Sequence, residues 1–124
     1  FRRVLFRSHN QAEVSYLIGE LKDMDVLIVD DMIDTAGTTV NAAEAAMEKG
    51  AKSVTAIATH AVLSGPAVER LSDSSIRKII VTDTIDIPEE KQIAKLEIVS
   101  VGNIFGEAVN RIHKGESVSA LFEF

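Results

Sequence analysis

Short runs of β-forming residues that alternate with helical patterns are the feature that most restricts the fold of this 124-residue chain. The predicted strands are Val26–Val29, Ser53–Thr59, Ile76–Val81 and Leu96–Val101. The predicted helices are Asn10–Leu21, Thr38–Lys49, Gly65–Leu71 and Gly102–His113. Strands separated by helices at such intervals require crossover connections, which join parallel strands. The sequence therefore predicts an α/β fold, a parallel sheet flanked by helices, in which the aliphatic run Val26–Val29 is buried on both faces.

Charge and composition restrict the partners of such a domain. The formal net charge of −6 argues against a general nucleic-acid or membrane-surface partner, since both attract basic faces. The absence of cysteine excludes disulfides and thiolate metal sites. No apolar run approaches the ~20 residues of a membrane span. We therefore expect a cytoplasmic protein.

The segment Phe1–Ser8, FRRVLFRS, differs in composition from the rest of the chain. It carries three arginines, and its residues can be encoded by a common sequencing-adapter sequence. We hypothesise that it is a non-native artefact, which resequencing the locus would test, and we leave it out of the fold prediction. The remaining residues, 9–124, are predicted to form one domain.

The stretch Val26–Thr39 places acidic side chains directly after the first strand. Asp30 and Asp31 follow the aliphatic run, and Asp34 precedes a turn of small residues, Thr35–Thr39. In open α/β sheets, ligands bind beyond the carboxyl ends of the strands. Carboxylates there can accept hydrogen bonds from sugar hydroxyls or bind Mg²⁺, directly or through water.

The turn itself is suited to a phosphate. The first N–H groups of the following helix lack intrahelical partners and form the positive end of its dipole. Gly37 allows close approach of the backbone, and Thr35, Thr38 and Thr39 add hydroxyl donors. Asp34 or Thr38 could instead be a simple N-cap. A cap needs one carboxylate at most, and clustered acids repel each other, which favours a functional site.

At this point the chain resembles a known family. VLIVDDMIDTAGTT is similar to the phosphoribosyl-pyrophosphate (PRPP) binding signature of the type I phosphoribosyltransferase fold, which is Rossmann-like. The form DDMIDTAGT looks like that of ribose-phosphate pyrophosphokinases (PRPP synthetases). Three further stretches agree with the C-terminal domain of that family: Ala58–Ala67, Val81–Ile85 and Gly115–Phe122. The resemblance runs from about Asn10 to the C-terminus.

The resemblance implies transfer of the β,γ-diphosphoryl group of ATP to ribose 5-phosphate, giving PRPP and AMP. Asp30 and Asp34 would contact the ribose hydroxyls and the Mg²⁺ ion, and Asp31 and Thr39 would have supporting roles. The 5-phosphate would be cradled by Thr35, Ala36, Gly37 and Thr38. In such a transfer, the protein acts by positioning and charge neutralisation.

Members of this family have two domains and form homo-oligomers, commonly hexamers. Their ATP-binding residues lie mainly in the first domain, and a basic loop precedes the helix corresponding to Gln11–Leu21. The resemblance therefore implies that this chain is the ribose 5-phosphate half of a truncated enzyme, contains no catalytic residue and is inactive alone. The alternatives are a base phosphoribosyltransferase that consumes PRPP, or a non-catalytic regulatory subunit associated with the synthetase.

Four other features have weaker functional or purely structural interpretations. His60 ends a strand beside Ser64, where a loop histidine and an N-capping serine compete with a role near a subunit or nucleotide-regulatory surface. The resemblance places Ser117 and Ser119 at an allosteric ADP/phosphate site, although an edge strand explains their alternation. The turn Thr82–Thr84 can shape the sugar site or be simply polar, and His113 is suited to a helix C-terminus.

Overall fold

The computed structural model describes residues 2–4, as backbone only, and residues 20–122. Its strands are β1 (Arg2–Val4), β2 (Asp25–Ile33), β3 (Ser53–Ala61), β4 (Lys78–Thr82) and β5 (Leu96–Val99). Its α-helices are α1 (Gly37–Glu48), α2 (Ala67–Asp73) and α3 (Gly102–Lys114). Two short 3₁₀ helices cover Glu89–Lys91 and Ser119–Phe122.

The described strands form one parallel sheet in the order β1-β2-β3-β4-β5. Every strand therefore pairs with its neighbour in the sequence. Right-handed crossovers that all run in one direction place their helices on one face of a sheet, and α1 and α2 contact each other. The predicted α/β fold is confirmed.

The core lies on the face that α1 and α2 cover. Register pairs join buried side chains across the sheet: Val26 with Val54, Ala56 with Ile79, and Ala58 with Val81. The small residues Ala42, Ala43 and Ala46 of α1 are also buried, so this helix can approach the sheet closely. Alanine thus fills the space between α1 and β3, while larger aliphatic side chains fill the flanks.

The opposite face of the sheet is less covered. Leu27 and Val29 are only half-buried, whereas Val26 and Ile28, which alternate with them along the strand, are buried. The prediction that this strand is buried on both faces was therefore wrong for the described residues. The reason is topological, because sequential crossovers place both α1 and α2 on the same side.

A lysine from the loop before β5 binds the end of α2. The ammonium of Lys95 donates to the carbonyl oxygens of Leu71 at 3.2 Å, Ser72 at 2.9 Å and Ser74 at 2.6 Å. Leu71 and Ser72 lie in the last turn of the seven-residue helix and Ser74 is its C-cap, a place where a cation is favoured. Lys95 therefore stabilises α2, and with it the segment that follows β3.

Several predicted elements have different bounds or lie outside the description. The helix predicted over Asn10–Leu21 lies outside the described residues except Glu20 and Leu21, which are not helical. Arg2–Val4 pairs with Val26–Ile28 as an edge strand, although Phe1–Ser8 was left out of the fold prediction; its artefactual origin stays a hypothesis. The edge strand considered for the tail is wrong, since Ser119–Phe122 is a 3₁₀ turn.

The helix α3 has an apolar stripe without a partner in the described chain. The side chains of Ile104, Phe105, Val109 and Ile112 are 57%, 62%, 66% and 68% exposed. In the described part of the chain, no helix is both long and apolar enough to cross a membrane.

Candidate functional site

The candidate site is the connection between β2 and α1 together with the carboxyl end of β2. The strand extends to Ile33, which pairs with Ala61, so Asp30 and Asp31 lie within the strand. The prediction that the strand ends before these aspartates was wrong, because pairing with β3 continues beyond the aliphatic run. Asp34 is then the first residue after the strand, and the turn reaches α1 within three residues.

The turn adopts an anion-binding backbone conformation at Ala36. This residue is left-handed, with φ of 62° and ψ of 1°, and Gly37 begins the right-handed helix. Successive residues of opposite hand direct their N–H groups into a common concavity, the nest that binds anions in many proteins. The sequence suggested Gly37 as the special position, but the left-handed residue is the buried Ala36.

The start of α1 leaves its N–H groups available. The first helical bond of the turn is donated by the Val40 N–H to the Ala36 carbonyl at 3.0 Å. Among the described residues no side chain caps this helix, and its first turn contains no acidic residue, so the N-cap interpretation of Asp34 and Thr38 was wrong. Thr38 is exposed and Thr39 is buried. A phosphate can therefore bind here without displacing a cap.

Asp30 and Asp31 have opposite electrostatic environments. Burial raises the pKa of Asp30, and the neighbouring Asp31 carboxyl raises it further. Hydrogen bonding from Asp30 lowers the pKa of Asp31, and the charge of His60 lowers it slightly more. The carboxylates also accept backbone N–H groups, Asp30 from Asp31 and Asp31 from Met32, each at 2.9 Å. Asp30 is thus the more easily protonated of the two.

Asp34 is held by the connection that follows β3. Its side chain accepts a hydrogen bond from the Ser64 hydroxyl, and its backbone carbonyl accepts one from the Ser64 N–H at 3.0 Å. The N–H groups of Val62 and Leu63 both donate to Ile33, at 3.0 and 3.1 Å. The position of Ser64 before Pro66 suggested an N-cap of α2. The Ser64 side chain instead binds Asp34.

A residue of α2 binds the other side of the turn. The Arg70 guanidinium Nη1 donates to the Thr35 carbonyl at 3.0 Å. A Cβ added to Gly37 would lie 3.3 Å from the same Nη1 atom, which is tight contact. Glycine at this position therefore accommodates Arg70, in addition to any ligand.

His60 is bound into the neighbouring strand connection. Its Nδ1 lies 2.8 Å from the Thr84 hydroxyl oxygen, and the hydroxyls of Thr82 and Thr84 donate to the Thr59 carbonyl at 2.7 and 3.2 Å. Asp83 accepts the Val101 N–H at 2.8 Å. These bonds join the ends of β3, β4 and β5, which favours the structural interpretation of Thr82–Thr84.

Ser117 and Ser119 lie apart from this site in the turn after α3. Their hydroxyls hydrogen-bond each other, and the Ser119 N–H donates to the Ser117 hydroxyl at 3.2 Å. Arg111 donates to the Ser117 carbonyl at 3.2 Å and pairs with Glu107 at 2.8 Å. The structure brings the two serines together, but their regulatory role stays a prediction.

Two carboxylates could contribute to a cation site. Among the described residues, no group of three or more histidine, cysteine, aspartate or glutamate side chains could hold a metal ion by itself. Mg²⁺ usually takes only one or two protein carboxylates and fills its remaining positions with water and substrate oxygens. Asp30 and Asp34 fit that pattern, since a nearby cation would also favour the ionised form of Asp30.

Three structural roles at this site were missed by sequence reasoning. The left-handed residue is an alanine, for which no propensity rule predicts a positive φ. Arg70 and Ser64 are 35 and 30 residues from the groups they bind. The sequence contained a single usable signal. Ser64 lies in the connection after β3 and Arg70 in the following helix α2, and β3 is the strand predicted to neighbour β2.

A parallel α/β sheet, a nest at the start of a helix and carboxylates in and after the preceding strand suit a ligand that carries both a phosphate and hydroxyl groups. Comparison with known proteins identifies the family. The chain belongs to the family described as phosphoribosyl synthetase-associated domain, which matches residues 7–123.

Two similar proteins bear the same enzyme name. The chain is 55% identical over 113 residues to the ribose-phosphate pyrophosphokinase of Caldanaerobacter subterraneus subsp. tengcongensis, covering 91% of this chain and 36% of that protein. It is 54% identical over 114 residues to the ribose-phosphate pyrophosphokinase of Chlorobaculum tepidum, covering 92% of this chain and 35% of that protein. The chain thus spans about a third of the length of these curated relatives.

A solved structure is similar in fold as well as in sequence. The crystal structure of phosphoribosylpyrophosphate synthetase from Mycobacterium smegmatis matches with a TM-score of 0.78 and 37% identity, over 79% of this chain and 33% of that chain. This match confirms the phosphoribosyltransferase-type fold inferred from the motif. The names of these relatives favour the interpretation as a pyrophosphokinase domain. They argue against the first alternative, a base phosphoribosyltransferase.

Proposed function

We propose that this chain binds ribose 5-phosphate and provides the acceptor-sugar half of a ribose-phosphate pyrophosphokinase. The observation that supports the proposal most directly is the nest at Ala36 and Gly37, at the uncapped start of α1, with Asp34 two residues before it and Asp30 in the strand that leads to it. The two chemistries match the two ends of the ligand. Backbone N–H groups suit the 5-phosphate, and carboxylates suit the ribose hydroxyls.

In the proposed reaction the anomeric hydroxyl of the sugar attacks the β-phosphorus of ATP, the α,β-anhydride bond breaks, and AMP leaves. The residues of this chain would fix the acceptor by both of its ends. The nest and the Thr35 and Thr38 hydroxyls would bind the 5-phosphate, and Asp30 and Asp34 would accept hydrogen bonds from the ring hydroxyls. Fixing the acceptor in this way lowers the entropic part of the barrier.

The cofactor we propose is Mg²⁺, which would neutralise negative charge on the transferred phosphates. Asp30 and Asp34 would hold it, directly or through water. Asp31 and Thr39 would support the turn rather than contact the sugar. ATP, the ADP and phosphate effectors, the cytoplasmic location and assembly into homo-oligomers such as hexamers belong to the same proposal for the whole enzyme.

Calorimetric titration of the 124-residue chain tests the proposal. We expect ribose 5-phosphate, with Mg²⁺ present, to bind at least tenfold more tightly than ribose or inorganic phosphate, because only the intact ligand uses both the nest and the carboxylates. Asp34→Asn should weaken ribose 5-phosphate binding about tenfold, the loss expected for one charge-assisted hydrogen bond.

The matched control is Asp73→Asn, which removes an exposed carboxylate at the far end of α2. This variant should bind ribose 5-phosphate like the original chain. The proposal fails if the unmodified chain does not bind ribose 5-phosphate, or binds it no better than inorganic phosphate.

A further inference from the structure

Arg70 contacts both ends of the turn that contains the left-handed residue. Its Nη1 donates to the carbonyl of Thr35 at 3.0 Å, and it lies 3.3 Å from the position that a Cβ on Gly37 would occupy. Ala36, between these two residues, has a φ of 62°. One guanidinium thus lies against the residue before and the residue after the unusual conformation.

The hydrogen bond from Arg70 also determines where the next N–H group points. A trans peptide is planar, and its C=O and N–H groups point in opposite directions. When Arg70 holds the Thr35 carbonyl on its own side, the Ala36 N–H must point to the opposite side of the turn. If this peptide flipped, a carbonyl oxygen would replace an N–H group in the nest and would repel an anion.

The left-handed conformation requires such support. A non-glycine residue at positive φ is strained, and strain of this kind persists where the surrounding structure holds it. The Val40 N–H bond to the Ala36 carbonyl holds the turn from the helix side. Arg70 is the side chain that holds it from the other side, through the Thr35 carbonyl.

We propose that Arg70 is a positioning residue that keeps the Thr35–Gly37 turn in its anion-binding conformation. The proposal rests on the proposed function, since it assumes that this turn receives the 5-phosphate. Arg70 acts through the backbone of the turn, and its permanent positive charge adds a long-range attraction for the same anion.

The experiment compares Arg70→Gln and Arg70→Lys with the unmodified chain. The control is Arg77→Gln, which removes an exposed arginine from the loop before β4. Calorimetry with ribose 5-phosphate and Mg²⁺ measures affinity. Nuclear magnetic resonance of the free chain measures the ¹³C shifts of Ala36, which report its backbone conformation, and the amide exchange rate of Val40, whose bond to Ala36 depends on the turn.

We expect Arg70→Gln to weaken ribose 5-phosphate binding about tenfold, to shift the Ala36 carbons away from left-handed values and to speed Val40 exchange severalfold. Arg70→Lys keeps the charge and should restore part of both readouts, because an ammonium can reach a carbonyl without the planar fork. Arg77→Gln should change neither.

Unchanged Ala36 shifts and Val40 exchange in Arg70→Gln would overturn the positioning role, whatever happens to affinity. An affinity loss with those two readouts unchanged would assign Arg70 a purely electrostatic role. If the unmodified chain does not bind ribose 5-phosphate, the proposed function fails, and the two readouts of the free chain still decide the role of Arg70.

Discussion

At the scale of single residues, Asp30 has an environment that opposes its own ionisation. Its pKa is raised from 3.8 because the carboxyl is partly buried and has an acidic neighbour. The folded protein therefore binds this proton more tightly than the unfolded chain does. The resulting stabilisation is fully present below about pH 4, and is lost as the pH rises through the raised pKa. A carboxylate kept under these conditions is typical of a functional site.

Asp30→Asn should consequently stabilise the ligand-free chain at neutral pH while weakening ribose 5-phosphate binding. The asparagine keeps an acceptor for the Asp31 N–H and removes the charge that burial penalises. We expect a gain of less than about 1 kcal/mol, because water screens this half-exposed carboxyl. The gain should be absent below about pH 4 and grow as the pH rises through the raised pKa of Asp30. Thermal melts across this range measure it.

The matched variant is Asp31→Asn, for which the expected change in stability at neutral pH has the opposite sign. A hydrogen bond from protonated Asp30 and one from the Met32 N–H lower the pKa of Asp31. The Met32 bond persists at neutral pH, so the ionised form of Asp31 stabilises the fold there, and that contribution is lost as the pH falls through the lowered pKa. Asp31→Asn should therefore not raise the melting temperature at pH 7. If Asp31→Asn raised the melting temperature and Asp30→Asn lowered it, the assignment of the proton to Asp30 would be wrong.

The residues of the candidate site could be predicted from the sequence, but the contacts that hold them in place could not. Asp30, Asp34 and the turn to Thr38 could be located because carboxylates, small residues and a helix start are adjacent in the sequence. The contacts of Ser64 and Arg70 depend on which strands are neighbours and on how far each strand extends. Strand neighbours and strand lengths depend on tertiary packing, which a local sequence pattern does not predict.

At the scale of elements, β2 shows why strand ends are hard to predict. Its aliphatic run ends at Val29, yet pairing with β3 continues through Ile33. The buried Ile33 and Ala61 close this pairing beyond the two aspartates. Apolar periodicity predicts the buried part of a strand, whereas the backbone hydrogen bonds that extend it are independent of side-chain polarity.

The helix α2 depends on a residue outside itself. With seven residues it is too short to be stable by its own hydrogen bonds, and Lys95 binds two carbonyls of its last turn and the carbonyl of the C-cap Ser74. Lys95→Met should cost about 1–2 kcal/mol in the free energy of unfolding, since it removes a charged donor at a helix C-terminus. Chemical denaturation measures this loss.

Lys52→Met is the control for that change, because Lys52 is an exposed lysine before β3. It should alter the free energy of unfolding by no more than about 0.5 kcal/mol. An equal loss in both variants would mean that the carbonyl bonds of Lys95 contribute nothing specific. Since α2 carries Arg70, Lys95→Met should also weaken ribose 5-phosphate binding.

At the scale of the whole molecule, the chain combines a well-packed core with a helix whose apolar side faces solvent. Four large side chains of α3 are each more than half exposed: Ile104, Phe105, Val109 and Ile112. Contiguous apolar surface of this kind promotes association. The chain itself should therefore associate in a concentration-dependent way.

Phe105→Glu should reduce this association without lowering the melting temperature, because the side chain contributes little to the core. Asn103→Glu adds the same charge to the same helix at an exposed polar position, and should have a smaller effect. Sedimentation velocity over a range of concentrations distinguishes the two variants. A drop in the melting temperature of Phe105→Glu would indicate that this face is packed in solution.

The sequential order of the sheet determines when the candidate site can form during synthesis. Each described strand pairs with the described strand made just before it, so this part of the sheet can grow vectorially as the chain leaves the ribosome. The Thr35 carbonyl, however, is made 35 residues before the arginine that binds it. The Thr35–Gly37 turn is therefore the last part of its own βαβ unit to acquire a fixed shape, and nascent chains that end before α2 should contain the turn without its final conformation.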